Sequence, residues 1–309
     1  MKVAVFGASG SIGTLLLQAL RKEHPGWTVV GVSRSADRGD GWIQGDIFSA
    51  ASVKECAKDC QILFSCIGFE QYERKYWAEH WPLVVDNLLS ALEDGDRKLV
   101  FCDNLYAYGN PKVPITTATP KIASGLHSKP AVRALLHEKF QSHPAWNRIA
   151  ILGASDFFGP GLDQKSFLGD TVTGKIVVGS TPLVVGRKDC IHDFGYAPDV
   201  ARAMVVASTQ PEAYGKFWIV PHSVHGSTMQ QIVEEIAELH GSTKKPNCTV
   251  LGPWMLTLLS PFVGFLGEIK EMLHIWTQDY QVQDSDFFGM QATPRREALQ
   301  ALVQYYESK

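Results

Sequence analysis

The chain has 309 residues, 45% of them apolar and 20% charged, the balance of an ordinary globular protein. That length is long for one hydrophobic core, so a main domain with a smaller appended part is expected. A net charge of -3 gives no sign of the clustered basic face that a nucleic-acid partner needs.

Lys2 to Phe6 is a short apolar run ended by glycine, and Ser11 to Lys22 carries apolar residues at helical spacing. Thr28 to Val32 is β-branched, and Trp42 to Gln44 reads as a short strand. Ile62 to Cys66 and Lys98 to Cys102 are further apolar runs, with a helix expected over Ala78 to Leu92 between them. A helix over Lys129 to Phe140 and a sixth strand over Arg148 to Leu152 follow. This alternation predicts an α/β fold, a Rossmann-type doubly wound parallel sheet with helices on both faces. We expect the dinucleotide-binding domain over residues 1–155. Residues 156–309 would form a mixed α/β substrate-binding part with returns to the main sheet.

The second half is less regular. Ile176 to Val178 and Leu183 to Val185 read as strand pieces. Ser227 opens a helix, with Gln230 completing a capping box, and Thr293-Pro294 opens the last helix with proline in the first helical position. The amino-terminal residues lack the features of a signal peptide. The apolar stretch Pro253 to Ile269 is broken by Pro261 and is too short for a membrane span, so one or two helices covering a pocket are expected. The six cysteines form no CxxC pair. They read as reduced thiols in a cytoplasmic protein.

The strongest local signal is Gly7-Ala8-Ser9-Gly10-Ser11-Ile12-Gly13, between a predicted strand and a predicted helix. Glycine lets the chain turn tightly, approach a pyrophosphate without a Cβ, and pack helix on strand. The helix N-terminus then offers N–H groups and partial positive charge to phosphates. At the end of the second strand, where an NAD enzyme carries Asp or Glu for the ribose 2′-hydroxyl, stands Ser33-Arg34-Ser35. A guanidinium suits a 2′-phosphate, so NADP(H) is expected as the preferred cofactor, with NAD(H) possible.

The Gly-x-x-Gly-x-x-Gly spacing resembles the short-chain dehydrogenase/reductase superfamily in its extended and atypical branches. Gly7, Gly10 and Gly13 match the glycines, with Ser9, Ser11 and Ile12 lining the diphosphate. The resemblance implies that Asp46 and Ile47 contact adenine and that Cys66, Ile67 and Gly68 pack on the adenosine ribose. In that superfamily Ser and Tyr-x-x-x-Lys handle the proton. Here Lys129 matches the lysine, which also binds nicotinamide ribose, but Gly125 stands at the tyrosine position and Asn104 at the serine position. The departure is consistent with an atypical subfamily labelled NAD-dependent epimerase/dehydratase, with NmrA-like regulators as neighbours. Matching segments are Asp103 to Gly109, Lys129 to Ala134 with Arg133, Ser155 to Gly161, Pro198 to Ala201, and the Thr293-Pro294 helix.

A replacement acid is then required. Tyr106 is chosen, with Lys129 and Asn104 beside it, while Tyr108 is expected to pack. His127 and His192 are ionisable loop residues, and Asp199 follows Pro198 where a helix cap is expected. Phe69, Tyr72, Tyr76, Trp77, Phe157 and Phe158, with Trp254 and Trp276, suggest an aromatic wall. Of these, Phe69, Tyr72, Trp77 and Phe157 are expected to meet substrate, together with Asp156, in an apolar or ring-shaped site. No metal site is expected.

Three functions follow. One is an NADP(H)-dependent oxidoreductase acting on a carbonyl or alkene of a small molecule. The others are an epimerase, isomerase or dehydratase, and a non-catalytic NADP sensor. The protein is expected to be a monomer or homodimer.

Overall fold

The computed structural model describes residues 1–35, 39–111, 113–122, 128–255, 268 and 270–309. Gly125 and His127, and most of the apolar stretch after Pro253, lie outside the described residues. The chain divides into two compact units. Unit 1 comprises Met1–Gly109, Pro120–Gly153 and Val200–Val220, and unit 2 Asn110–Thr119, Ala154–Asp199 and Pro221–Lys309.

Unit 1 is built on a seven-stranded sheet. Its strands are β1 (Lys2–Phe6), β2 (Thr28–Ser33), β3 (Trp42–Gln44), β4 (Ile62–Ser65), β5 (Lys98–Asn104), β6 (Ile149–Ala154) and β10 (Lys216–Ile219). They run in the order β10-β6-β5-β4-β1-β2-β3. β1 is the pivot, pairing in parallel with β2 and with β4, so that Val3 faces Val29 on one side and Ile62 on the other. The order reverses at β1 and β4, and in open α/β sheets ligands bind at the carboxyl ends of such strands. Val3, Ala4 and Val5 have no exposed surface, which explains why this strand is a continuous apolar run. The seventh strand, β10, escaped the sequence reading. It pairs in parallel with β6, Trp218 opposite Leu152.

The helices α1 (Ser11–Glu23), α2 (Ala50–Ala57), α3 (Arg74–Ser90) and α4 (Lys129–Ser142) connect these strands. α3 begins at Arg74, four residues before the expected Ala78. The first-turn residues Arg74 and Lys75 are exposed, while Trp77 and Trp81, spaced by one helical turn, are buried in the core. α4 is capped by Ser128, whose Oγ accepts from Ala131 N at 3.2 Å, with Pro130 in the first turn, where its missing N–H costs nothing.

Unit 2 contains two short parallel pairs. In one, β7 (Asp156–Phe158) pairs with β9 (Phe194–Tyr196), and in the other β8 (Leu183–Val185) pairs with β11 (Thr249–Leu251). Three sequence expectations need correction here. Ile176 and Val177 are helical, in α5 (Lys175–Val177) after the wide turn Gly169–Gly174. Their β-branched character is overridden because Ile176 is buried in the core with Ile232, Val233 and Leu302. The cap of α7 (Met229–Leu239) is Thr228 rather than Ser227. Gln231 closes the box, its Oε1 accepting from Thr228 N at 2.9 Å, while Gln230 donates to Glu234. Finally, Pro294 is the cap residue of the last helix, Arg295–Glu307, not its first helical position. The approach is fixed by Asp199, in α6 (Ala197–Thr209). Its carboxylate accepts from Thr293 N at 2.6 Å, Thr293 Oγ1 at 2.8 Å and Ser223 Oγ at 3.0 Å. Asp199, in the first turn of α6, thus also makes a long-range clamp.

A second clamp joins three loops of unit 2. His225 lies between Asp193 and Asp284, with Nδ1 3.2 Å from Asp193 Oδ2 and Nε2 2.8 Å from Asp284 Oδ2. Asp193 also accepts from Gly226 N and Val282 N, and Asp284 from His222 N. With a carboxylate on each ring nitrogen, His225 is held as the imidazolium, and the hydrogen bonds to Asp193 and then Asp284 lift its pKa from 6.5 to about 10. A folded-state value above the unfolded one stabilises the fold fully below about pH 6.5, and the contribution is lost as pH rises through about 10. The melting-temperature gap between wild type and His225→Gln should therefore be largest near pH 6 and shrink steadily towards pH 10. Melts at three pH values check this, and a gap independent of pH would contradict the bridging imidazolium.

Candidate active site

The glycine loop follows β1 directly. Gly7 has φ of 76°, and a Cβ there would sit 2.6 Å from the Cys66 carbonyl oxygen at the end of β4. A Cβ on Gly13 would lie 2.2 Å from Gly7 O. Both positions are closed to any side chain by the protein itself. Gly10 is different: its Cβ would meet only Gly7 O, at 3.2 Å. Gly10 caps α1 without a side-chain hydrogen bond, and no acidic residue stands in the first helical turn. Ser9 is exposed and Ser11 and Ile12 are half-buried around it. A backbone cradle at an uncapped helix N-terminus, with nothing built over Gly10, fits a dinucleotide pyrophosphate.

The remaining cofactor candidates stand at neighbouring strand ends. Arg34 follows β2 and is exposed, its carbonyl accepting from Gln44 Nε2 at 3.1 Å. Asp46 is exposed after β3, with Oδ1 accepting from Phe48 N at 3.0 Å, and Ile47 is buried, its carbonyl accepting from Asn87 Nδ2. Cys66 and Ile67 are half-buried after β4, and Gly68 is exposed. The Cys66 thiol lies 3.7 Å from Met204 Sδ, and burial pushes its pKa well up, so it is a packing thiol rather than a nucleophile.

Tyr106, Lys129, Tyr72 and Trp77 come together at the end of β5. Lys129 has no exposed surface, and its Nζ lies 4.4 Å from the Tyr72 ring centre. Tyr72 Oη donates to Tyr106 Oη at 3.3 Å. The Tyr106 and Trp77 rings are parallel within 18° at 6.2 Å. Asn104, at the serine position, does not face this cluster with its amide oxygen, which instead accepts from Tyr106 N at 3.1 Å and shapes the turn Tyr106–Tyr108. Trp77 is only 5% exposed and packs in the core. Its Nε1 donates to Gln71 O. Phe69 packs on Trp81 at 4.5 Å, and Tyr108 is buried, its hydroxyl pKa raised by desolvation.

Beneath Tyr106 lies a network that the sequence reading did not assign. Lys129, Arg133 and His137 recur every four residues along one face of α4, and all are buried. Asp103 meets two of them, with Oδ1 2.9 Å from Arg133 Nη1 and Oδ2 2.8 Å from His137 Nε2. Burial opposes ionisation of Asp103, but Arg133 and His137 together hold its carboxyl below the usual range. Burial outweighs the same contacts at His137 and lowers its pKa. The i, i+4, i+8 spacing of three basic residues was the available signal.

The expected substrate residues Asp156 and Phe157 lie in unit 2. Asp156 Oδ2 accepts from His192 Nε2 and Trp276 Nε1, both at 3.0 Å, and Phe157 is half-buried. Trp254 is 70% exposed and Trp276 buried. Among the described residues, His222, His225 and Asp284 lie close enough to share a metal ion. Their hydrogen bonds oppose that role. His222 Nε2 accepts from Ser155 N, which places the ring proton on Nδ1, 2.6 Å from Asp284 Oδ1. A metal on Nδ1 would need that proton removed.

Residues 3–220 match the profile of the NAD-dependent epimerase/dehydratase family. The chain belongs to that family. Among solved structures it is similar to the dTDP-glucose 4,6-dehydratase of Bacillus anthracis, solved with NAD, at 17% identity and a TM-score of 0.75, covering 100% of this chain and 97% of the other. The UDP-glucuronic acid 4-epimerase of Bacillus cereus, also with NAD, matches at 16% identity and a TM-score of 0.75, with 100% and 99% covered. The UDP-glucose 4-epimerase of Thermotoga maritima, solved with UDP-glucose, matches at 16% and 0.76, again with 100% and 99% covered. No curated protein sequence matches significantly. At these identities the structures establish the shared Rossmann-type fold. No helix among the described residues is long and apolar enough to cross a membrane.

For this family member the glycine loop yields a direct test. Gly10→Val should abolish dinucleotide binding while leaving thermal stability nearly unchanged, because the added side chain fills the space over the helix N-terminus and meets only one backbone atom. Cofactor titration beside a thermal melt decides it. A folded Gly10→Val protein that binds normally would reduce the loop to a structural turn.

Proposed function

We propose that this protein is an NADP(H)-dependent oxidoreductase acting on a carbonyl or alkene of a small, apolar or ring-shaped molecule. The observation that carries the reading is the cluster of Lys129, Tyr72 and Tyr106. It gathers a buried ammonium and two phenol hydroxyls at the end of β5, in a sequence whose family tyrosine position is the glycine Gly125. A bound nicotinamide supplies or accepts hydride. Gly7, Ser9, Gly10, Ser11, Ile12 and Gly13 would hold its pyrophosphate, and Asp46, Ile47, Cys66, Ile67 and Gly68 its adenosine half.

Tyr106 Oη accepts from Tyr72, so its own proton is directed to another acceptor, which suits a general acid towards a substrate oxygen or carbon. Lys129 faces Tyr72 and favours a developing negative charge on the pair. Asn104 shapes the turn that presents Tyr106. Phe69 and Tyr72 are the proposed substrate contacts in unit 1. The free thiols of all six cysteines support a cytoplasmic location.

A second reading, an epimerase or dehydratase that retains its cofactor, is favoured by the similarity to sugar-nucleotide enzymes. Net loss of NADPH absorbance with a panel of carbonyl compounds supports the oxidoreductase. Conversion of UDP- or dTDP-sugars without net cofactor change supports the second reading. Tight cofactor binding with neither outcome would favour a sensor.

Arg34 favours the 2′-phosphate of NADP(H). Arg34→Ala should cost NADPH binding on the order of 1.5–3 kcal/mol and leave NADH binding nearly unchanged. Calorimetry with both cofactors tests this, and equal losses would sink the preference.

Two further variants divide the proton chemistry from binding. Tyr106→Phe should slow turnover roughly 10²–10⁴-fold with little change in cofactor affinity, whereas Lys129→Ala should weaken both. Unaffected turnover in both variants would remove these residues from the mechanism.

A further inference from the structure

Arg133 is an expensive residue to place where it stands. Its side chain is 5% exposed, and its guanidinium carbon lies 3.7 Å from the Trp81 ring centre and 5.1 Å from that of Trp77. Among the described residues its Nε has no hydrogen-bond partner. Burial depresses its pKa and the Asp103 carboxylate opposes that. Apolar side chains in place of both Arg133 and Asp103 would avoid the desolvation of both charges, and replacement of a whole buried pair is often neutral or stabilising. Packing alone therefore does not account for an ion pair here.

The pair leads to Tyr106 by two routes. Asp103 Oδ1, which meets Arg133, also accepts from Asn104 N at 2.8 Å, and Asn104 Oδ1 accepts from Tyr106 N at 3.1 Å. The second route is a stack: guanidinium over the Trp77 ring, and Trp77 parallel to Tyr106. Arg133 also interacts electrostatically with the hydroxyls of Tyr106 and Tyr72.

We infer that Arg133, held by Asp103, is a positioning residue for the Tyr72–Tyr106 hydroxyl pair: it fixes the turn that carries Tyr106 and supplies a permanent buried positive charge beside the pair. The inference rests on reading that pair as the proton-handling group. It adds to Lys129 a second cation one helical turn away.

The test reads the reactivity of the hydroxyl itself and needs no substrate. Tetranitromethane nitrates phenolate, and peptide mass spectrometry follows Tyr106 and Tyr72 separately. Wild type, Arg133→Met, Arg133→Lys and Asp103→Asn are compared at one pH, each with a melt and an NADPH titration. Tyr106 should react on the order of tenfold more slowly in Arg133→Met. Arg133→Lys should recover most of the rate and NADPH affinity should hold throughout, while Asp103→Asn, which removes a negative charge as well as the anchor, is read for folding and cofactor affinity. Simple loosening of the structure would expose Tyr106 and speed its reaction, the opposite sign. Equal rates in wild type and Arg133→Met, or Arg133→Lys as slow as Arg133→Met, would overturn the inference. Where Arg133→Met does not fold, Arg133→Gln takes its place: a rate below that of Arg133→Lys supports the inference, and equal rates in the two overturn it. The underlying reading is judged apart, since unchanged turnover in Tyr106→Phe defeats it whatever the Arg133 variants do.

Discussion

At the end of β1 the backbone passes within 2.6 Å of where a Gly7 Cβ would stand against the β4 carbonyl of Cys66, and Gly13 comes closer still to Gly7 O. These two approaches set how α1 leaves the sheet. They bring the helix N-terminus down onto the strand ends at which the order of the sheet reverses. Every candidate in unit 1, from Arg34 after β2 to Tyr106 after β5, is placed by reference to that edge. Gly7 and Gly13 serve the packing, whereas a Cβ on Gly10 would meet only Gly7 O.

The second organising element is the polar face of α4. Lys129, Arg133 and His137 are all buried, although a helix normally turns such residues to solvent. Asp103 makes this tolerable by meeting two of them with its two oxygens, and Tyr72 covers the third. The face grades from a cation beside the phenols, through a paired guanidinium between indoles, to a histidine whose protonation burial disfavours.

Much of unit 1 was legible because its signals are local. A strand, a glycine loop and a helix within the first 23 residues announce themselves by period and turn chemistry. β10 was not legible: Lys216–Ile219 is four residues long and pairs with a strand more than sixty residues earlier. In unit 2 the errors were of one kind. Ile176 was read from β-propensity, which core packing overrode, and the caps of α7 and of the last helix were each displaced by one residue, the usual precision of boundary signals. Asp199 followed a proline at a helix start, so a cap was the economical reading, yet its partners are Thr293 and Ser223. Spacing along the chain cannot reveal partners ninety residues away. The same limit hid the Asp103 network, where the helical period of the three basic residues was visible but the carboxylate that unites them was not.

The interleaving of the two units has a consequence for the nascent chain. Until Lys216–Ile219 has left the ribosome, β6 is a bare edge whose unpaired backbone groups invite pairing with other chains. Conversely Ile115, synthesised early, waits for the backbone of Gln281 and Gln283, with which it exchanges hydrogen bonds at 2.8 Å. Neither unit can be finished in order of synthesis. Cotranslational folding of this protein therefore cannot proceed one unit at a time, and the interval between residues 154 and 216 is when an incomplete sheet most needs protection by a chaperone.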